Sequence, residues 1–225
     1  MVKMKEQLKK IILASGSPRR RELLAGLGMP FEVVVLPDVD ESYPDTVKAD
    51  DVPEYLAQKK AEAYTSLLTE DGKLVITADT VVILDGRIFG KPQNAEEAIQ
   101  MLRTLSGKTH HVITGVCLMT RGQKHHFSVR TEVTFKVCLK TSHKSISFTD
   151  VTEVCFKELS DEEINYYVSQ FKPFDKAGSY GIQEWIGYIG CTGLKGSYYN
   201  VMGLPVQRIY EELEKMVEWT MPTSN

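Results

Sequence analysis

An apolar run, Ile11-Ile12-Leu13, passes through Ala14-Ser15-Gly16 into Ser17-Pro18-Arg19-Arg20-Arg21-Glu22. Leu23, Leu24 and Leu27 then recur at helical spacing. This stretch commits the chain to a buried strand that feeds, through a loop of small residues, directly into a helix. Ser17 is suited to cap that helix, and Pro18 to stand at its first position, where a missing N–H costs nothing. Gly28 and Pro30 end it. Free backbone N–H groups, the positive helix end and guanidinium groups converge on one point, which is a site for an anion, phosphate foremost. Arginine in a first turn opposes the helix dipole, which favours a ligand over helix stability as its purpose. Successive helical positions diverge by about 100°, so Arg19, Arg20 and Arg21 do not all face one ligand. A capped surface helix with solvated arginines is the plainer alternative.

With 225 residues, the chain has room for one larger domain or two small ones. Its net charge of −3 argues against a general nucleic-acid or membrane-surface binder, so a polyanion site has to be local. No apolar run approaches transmembrane length, and the run after the basic N-terminus is too short for a signal-peptide core. Cys117, Cys138, Cys155 and Cys191 form no C-x-x-C pair, so reduced thiols in a cytoplasmic protein are expected.

Residues 31–36 read as a second strand, followed by an acidic loop with Asp38, Asp40 and Glu41. These carboxylates read either as solvated loop charges or as ligands of a divalent metal. A helix over 53–68 carries Leu56, Lys60, Ala63, Tyr64 and Leu67 on one stripe. Lys60 either snorkels along the core edge or aims its ammonium into a site. Residues 74–78 form a strand that Asp79-Thr80 is expected to break before 81–84 resume it; Asp85-Gly86 then turns a hairpin. An aspartate between two apolar strand halves is costly to bury unpaired. It calls for a metal, a cation or a catalytic task, or it sits in a bulge bonded to backbone N–H groups. Gly90-Lys91-Pro92 places a further cation after the hairpin.

Asn94 with Glu97, and Ser160 with Glu163, mark two helix starts. Between them lies a tandem duplication with a constant offset of 21 residues: Val116-Cys117-Leu118 recurs as Val137-Cys138-Leu139, and Thr131-Glu132-Val133 as Thr152-Glu153-Val154. One extra copy, 137–157 after 116–136, is too little for a solenoid. It is expected to extend a sheet edge by two strands or to protrude as an arm. The histidines at 110, 111, 125, 126 and 143 cluster here, but adjacent strand residues face opposite ways, so neither pair makes a zinc site. Asp175-Lys176-Ala177-Gly178-Ser179-Tyr180-Gly181-Ile182-Gln183 reads as a shaped ligand loop. Strands are expected near 185–189 and 198–201, then a terminal amphipathic helix after Gly203-Leu204-Pro205 and a frayed tail after Trp219.

Taken together, Ala14-Ser15-Gly16-Ser17-Pro18-Arg19-Arg20, Ala78-Asp79-Thr80-Val81-Val82, Gly90-Lys91-Pro92, Leu105-Ser106-Gly107, the 175–183 loop and Gly203-Leu204-Pro205 resemble the Maf family in order and approximate spacing. The resemblance covers nearly the whole chain. It implies a single α/β domain over 1–225, with a twisted mixed sheet flanked by helices, of the Maf and ITPase kind, here carrying the extra strand–turn–strand repeat. It also implies a nucleoside triphosphate pyrophosphatase that uses Mg²⁺ or Mn²⁺, with a homodimer as a possible assembly. Carried over by motif, Ser15, Arg19, Arg20, Lys60, Lys91 and Gln183 would bind substrate, Asp79 would be catalytic, and Glu41 with Asp79 would hold the metal. The Tyr-Gly-Ile-Gln ending resembles the branch acting on dTTP and UTP. Two departures stand out: the repeat, and Glu184-Trp185 in place of a glycine-rich continuation.

The residue types suit that chemistry. Phosphoryl transfer needs positioning and charge neutralisation, which Arg19, Arg20, Lys60 and Lys91 supply. Asp79 is able to orient or deprotonate water, or to bind the metal. A neutral amide at Gln183 both donates to a pyrimidine carbonyl and accepts from the ring imide N–H, whereas a carboxylate only accepts. The competing reading is a nucleotide-binding regulator of cell division without significant turnover. A carboxylate beside polyanionic phosphate favours catalysis instead. A P-loop enzyme is excluded because no G-x-x-x-x-G-K-[ST] occurs.

Overall fold

A computed structural model describes residue 8 and residues 10–121, 136–140 and 143–218, with 136–140 and 217–218 described by backbone alone. The strands are β1 (Lys10–Leu13), β2 (Phe31–Val33), β3 (Lys73–Leu84), β4 (Arg87–Phe89), β5 (Thr109–Arg121), β6 (Lys136–Lys140), β7 (His143–Phe156) and β8 (Cys191–Lys195). The helices are α1 (Pro18–Ala25), α2 (Val52–Ala63), α3 (Ala95–Leu105), α4 (Asp161–Phe171), α5 (Trp185–Gly190), α6 (Tyr198–Met202) and α7 (Val206–Glu218). The eight strands among the described residues join one mixed sheet in the order β2-β1-β3-β5-β7-β6, with β4 on β3 and β8 on β7. β1 runs parallel to β2 and β3; every other pairing is antiparallel.

Both faces of the sheet are covered, which is why β1 and the two halves of β3 on either side of Asp79-Thr80 read as apolar runs rather than alternating ones. On one face Ile12, Val75, Cys117 and Met119 pack against Ala57, Ala61 and Tyr64. On the other, Ile11, Leu13, Ile76 and Leu118 meet Leu23 and Leu24 of α1 and Ile209 and Leu213 of α7. A further cluster joins Val82, Leu84 and Val154 to α3 and α4 through Leu102, Leu105, Ile164 and Tyr167. Ser17, Asn94 and Ser160 cap their helices as their sequences predict, Ser160 with a complete capping box through Glu163.

Two expectations change. β3 is continuous: Asp79 and Thr80 pair with Gly115 and Thr114 of β5, so the carboxylate projects from an intact strand rather than a break. Residues 185–189 form the start of α5 and 198–201 most of α6, both helical rather than extended. Gly187 lets α5 turn tightly against the Ile182 carbonyl, where any Cβ would collide. Ser197 accepts from Asn200 N at 3.2 Å, and the buried Asn200 amide donates to Val112 O at 3.0 Å. These tertiary demands override the strand preference of Trp, Ile and Tyr. The second copy of the duplication meets the first of its two expected outcomes: it supplies β7 and nearly all of β6, which extend the sheet beyond β5, with β7 paired to β5 over thirteen residues and β6 to β7. The remainder of the first copy, with His125 and His126, and the tail after Trp219 lie outside the described residues.

Candidate active site

Asp79 stands opposite Gly115, on the face that α2 covers. A Cβ at Gly115 would run into the backbone of Pro53 and Glu54, so glycine there lets α2 lie close to the sheet. Thr77 fixes the contact by donating to Ala57 O at 2.6 Å. One turn further along α2, Lys60 reaches Asp79. Its Nζ is 2.6 Å from Asp79 Oδ1 and 3.0 Å from Glu41 Oε1. The Lys60 and Asp79 side chains are only 12% and 15% exposed, so each needs the other. Lys59, about 100° round the helix, does a different job: it holds the acidic loop through Asp40 Oδ2 at 2.7 Å and Ser42 O at 2.6 Å. Burial works against the Glu41 carboxylate, but its hydrogen bond to Lys60, aided by Lys91 and Arg20, wins and lowers its pKa.

From the other face Arg20 brackets the same aspartate. Its Nη1 donates to Ala78 O at 2.7 Å, Nη2 to Thr80 Oγ1 at 3.0 Å and Nε to Gly203 O at 2.8 Å. The residues on both sides of Asp79 are thus fixed by one planar fork. Desolvation lowers the Arg20 pKa, with Asp79 opposing it. Arg19 turns to the cleft rim, its Nη1 2.7 Å from Asp175 Oδ2, while Arg21 points to solvent. Partial burial disfavours the Asp175 carboxylate, yet Lys176 and Arg19 outweigh it and bring its pKa down to about 2. Ser15, at the end of β1, is buried, and its Oγ accepts from Ser17 N at 3.3 Å.

All eight residues picked out in the sequence line one cleft of about 340 Å³: Ser15, Arg19, Arg20, Glu41, Lys60, Asp79, Lys91 and Gln183. On its lining, cations outnumber carboxylates five to three, although the whole chain is acidic. Gln183 Oε1 is buried and has no hydrogen-bond partner among the described residues. Thr80, Asp175 and Lys176 also line the cleft. The sequence marks Asp175 and Lys176 only as the charged head of a ligand loop and gives Thr80 no separate role.

Two carboxylates, Glu41 and Asp79, converge on the point that the Lys60 ammonium now fills. No third acidic, histidine or cysteine side chain joins them among the described residues. Two carboxylates are a donor set that Mg²⁺ or Mn²⁺ takes, with phosphate oxygens completing the shell, and a metal held by both requires the Lys60 ammonium to move aside.

A sequence profile described as Maf-like protein matches residues 10–216. A dTTP/UTP pyrophosphatase of Phocaeicola vulgatus is 57% identical over 207 residues, covering 92% of this chain and 96% of the relative. One from Bacteroides thetaiotaomicron is 50% identical, covering 92% and 95%. One from Flavobacterium johnsoniae is 45% identical, covering 95% and 100%.

Proposed function

The chain belongs to the Maf family, and from that premise we propose how its cleft cuts a nucleoside triphosphate. The enzyme hydrolyses dTTP and UTP to the nucleoside monophosphate and pyrophosphate, as the names of its relatives imply. The observation that carries the division of roles is the Lys60–Asp79–Glu41 cluster beside the phosphate loop in one cleft.

Ser15 and the N-terminus of α1 take the phosphate tail, with Arg19, Lys91 and Lys60 neutralising it. Lys60 also cancels the charge of two carboxylates that would otherwise repel a polyanion. Asp79, fixed by the Arg20 fork, orients a water and accepts its proton as the oxygen attacks the α-phosphorus, and pyrophosphate leaves. Glu41 and Asp79 would hold a divalent cation, which supplies charge neutralisation on the phosphates when bound. Gln183 reads the pyrimidine edge through its amide. A free buried acceptor at Oε1 supports that assignment.

Homodimer formation belongs to the same proposal, and light scattering giving the mass of one chain would remove it. Among the described residues no helix is long and apolar enough to cross a membrane. A cytoplasmic location belongs to the same proposal, supported by the free thiols of Cys117, Cys155 and Cys191.

The test is incubation with each common nucleoside triphosphate and Mg²⁺ or Mn²⁺, with products resolved. Pyrophosphate with dTMP or UMP is expected. Orthophosphate with a nucleoside diphosphate would refute cleavage at the α–β bond, and tight binding without products would favour the regulator.

A further inference from the structure

We propose that Glu184 is a positioning residue for base selection: its carboxylate, clamped by Lys176 and Tyr167, sets which end of the Gln183 amide faces the nucleobase. This rests on the reading of Gln183 as the base-contacting residue. An amide alone does not tell uracil from cytosine. In one orientation it accepts the imide N–H and donates to a carbonyl of uracil or thymine. Rotated by half a turn, it accepts from the cytosine amino group and donates to the cytosine ring nitrogen. Something has to hold it one way round.

No protein donor among the described residues pins Gln183 Oε1. The neighbouring carboxylate does the sorting. A Cβ built on Gly181 would stand 2.9 Å from Gln183 Nε2, 2.9 Å from Glu184 Cδ and 3.1 Å from Glu184 Oε2. The amide nitrogen and the carboxylate therefore both border the small space that the missing side chain of Gly181 leaves open. An N–H facing a carboxylate is favourable, while a carbonyl oxygen turned toward it is repelled. Nε2 stays on the Glu184 side, and the half-turn that would suit cytosine is disfavoured.

Glu184 is not free to swing away. Its Oε1 is 3.0 Å from Lys176 Nζ, and its Oε2 accepts from the Tyr167 hydroxyl. Lys176 is 7% exposed and has its second partner in Asp175 Oδ1 at 2.8 Å. Tyr167 is buried, and its hydroxyl also accepts from Gly181 N at 3.1 Å, so one phenol fixes both the carboxylate and the loop backbone. Burial, with the Glu184 contact behind it, raises the Tyr167 pKa, so the hydroxyl keeps its proton to donate.

The test compares kcat/KM for UTP and CTP in the intact enzyme, in Glu184→Gln, in Tyr167→Phe and in Gln183→Ala, with melting temperatures to show that each is folded. Glu184→Gln keeps the shape and removes the charge. It is expected to narrow the UTP-to-CTP ratio roughly tenfold, chiefly by gain of CTP turnover. Tyr167→Phe keeps the ring and should move the ratio the same way, so it carries the test if Glu184→Gln does not fold. General loosening would lower both substrates alike and leave the ratio still. An unchanged ratio in both variants, with Gln183→Ala collapsing it, overturns the role of Glu184 and leaves the base reading standing. A ratio that survives Gln183→Ala overturns the base reading and this inference with it.

Discussion

The Lys60 ammonium lies 2.6 Å from Asp79 Oδ1, and both side chains are nearly shut off from solvent. A lysine on the covering helix and an aspartate in mid-strand are thereby tied together across 19 residues of sequence. Each would be costly to bury alone. Together they place a cation and a carboxylate at the floor of a cleft whose rim carries further cations.

Removing the ammonium should therefore cost both stability and activity. Lys60→Met is expected to lower unfolding stability by about 3 kcal/mol, because Asp79 is left without its ion-pair partner, and to cut kcat/KM at least tenfold. In the double variant Lys60→Met with Asp79→Asn, stability should return by a kcal/mol or so on the order expected for coupled pairs, while activity does not. Denaturant unfolding and steady-state kinetics on the parent, Lys60→Met, Asp79→Asn and the double variant decide it; additive stability losses would show that the pair is not coupled.

Arg20 makes three directed contacts on carbonyl and hydroxyl oxygens around Asp79. A lysine keeps the charge but reproduces only part of that fork. Arg20→Lys is expected to lose about 2 kcal/mol of stability and to reduce kcat more than it raises KM. A variant with normal kcat would mean that the fork does not position the aspartate.

His110 is fully buried, with Nε2 2.8 Å from the Tyr180 hydroxyl and no partner for Nδ1 among the described residues. Burial, with a smaller contribution from His111, pushes its pKa from 6.5 down to about 4. As pH falls, the unfolded chain takes up this proton first. The stability it protects is thus complete above about pH 6.5 and lost progressively toward about pH 4. The loss is about 3 kcal/mol on this group alone. Unfolding curves across that range should slope less in His110→Phe than in the parent; equal slopes would assign the acid sensitivity elsewhere.

The duplication makes an unusual deletion testable. Residues 131–136 spell nearly the same strand as 152–157 at the constant offset of 21. Removing 137–157 takes out β6 and β7 up to Phe156, yet leaves a sequence suited to the same register against β5. The shortened chain is expected to fold and to retain activity, measured by melting temperature and pyrophosphate release. An insoluble product would mean that the second copy is not replaceable by the first.

Local chemistry was the most readable part of the chain. Ser17, Asn94 and Ser160 announce their helices because a cap is decided within four residues. The cleft residues were legible as types: cations, a lone strand carboxylate and an amide in a glycine loop. Their partners were not. The Arg19–Asp175 contact spans 156 residues, and Arg20 to Gly203 spans 183, distances over which spacing carries no signal. Asp79 looked like a break because an aspartate lowers strand propensity; the opposing Gly115 and the Lys60 ammonium remove that penalty. Residues 185–189 and 198–201 misled in the other direction, since their aromatic and β-branched content says strand while packing and capping demand helix.

The most direct measurement is dTTP binding and turnover by Asp79→Asn. Lys60 keeps Glu41 as a partner in that variant, so the fold and the cationic cleft should persist. Binding within a few-fold of the parent, with kcat down at least about a hundredfold, is the predicted result. Turnover at the parent rate in a folded Asp79→Asn enzyme would contradict the assignment of water activation to this carboxylate.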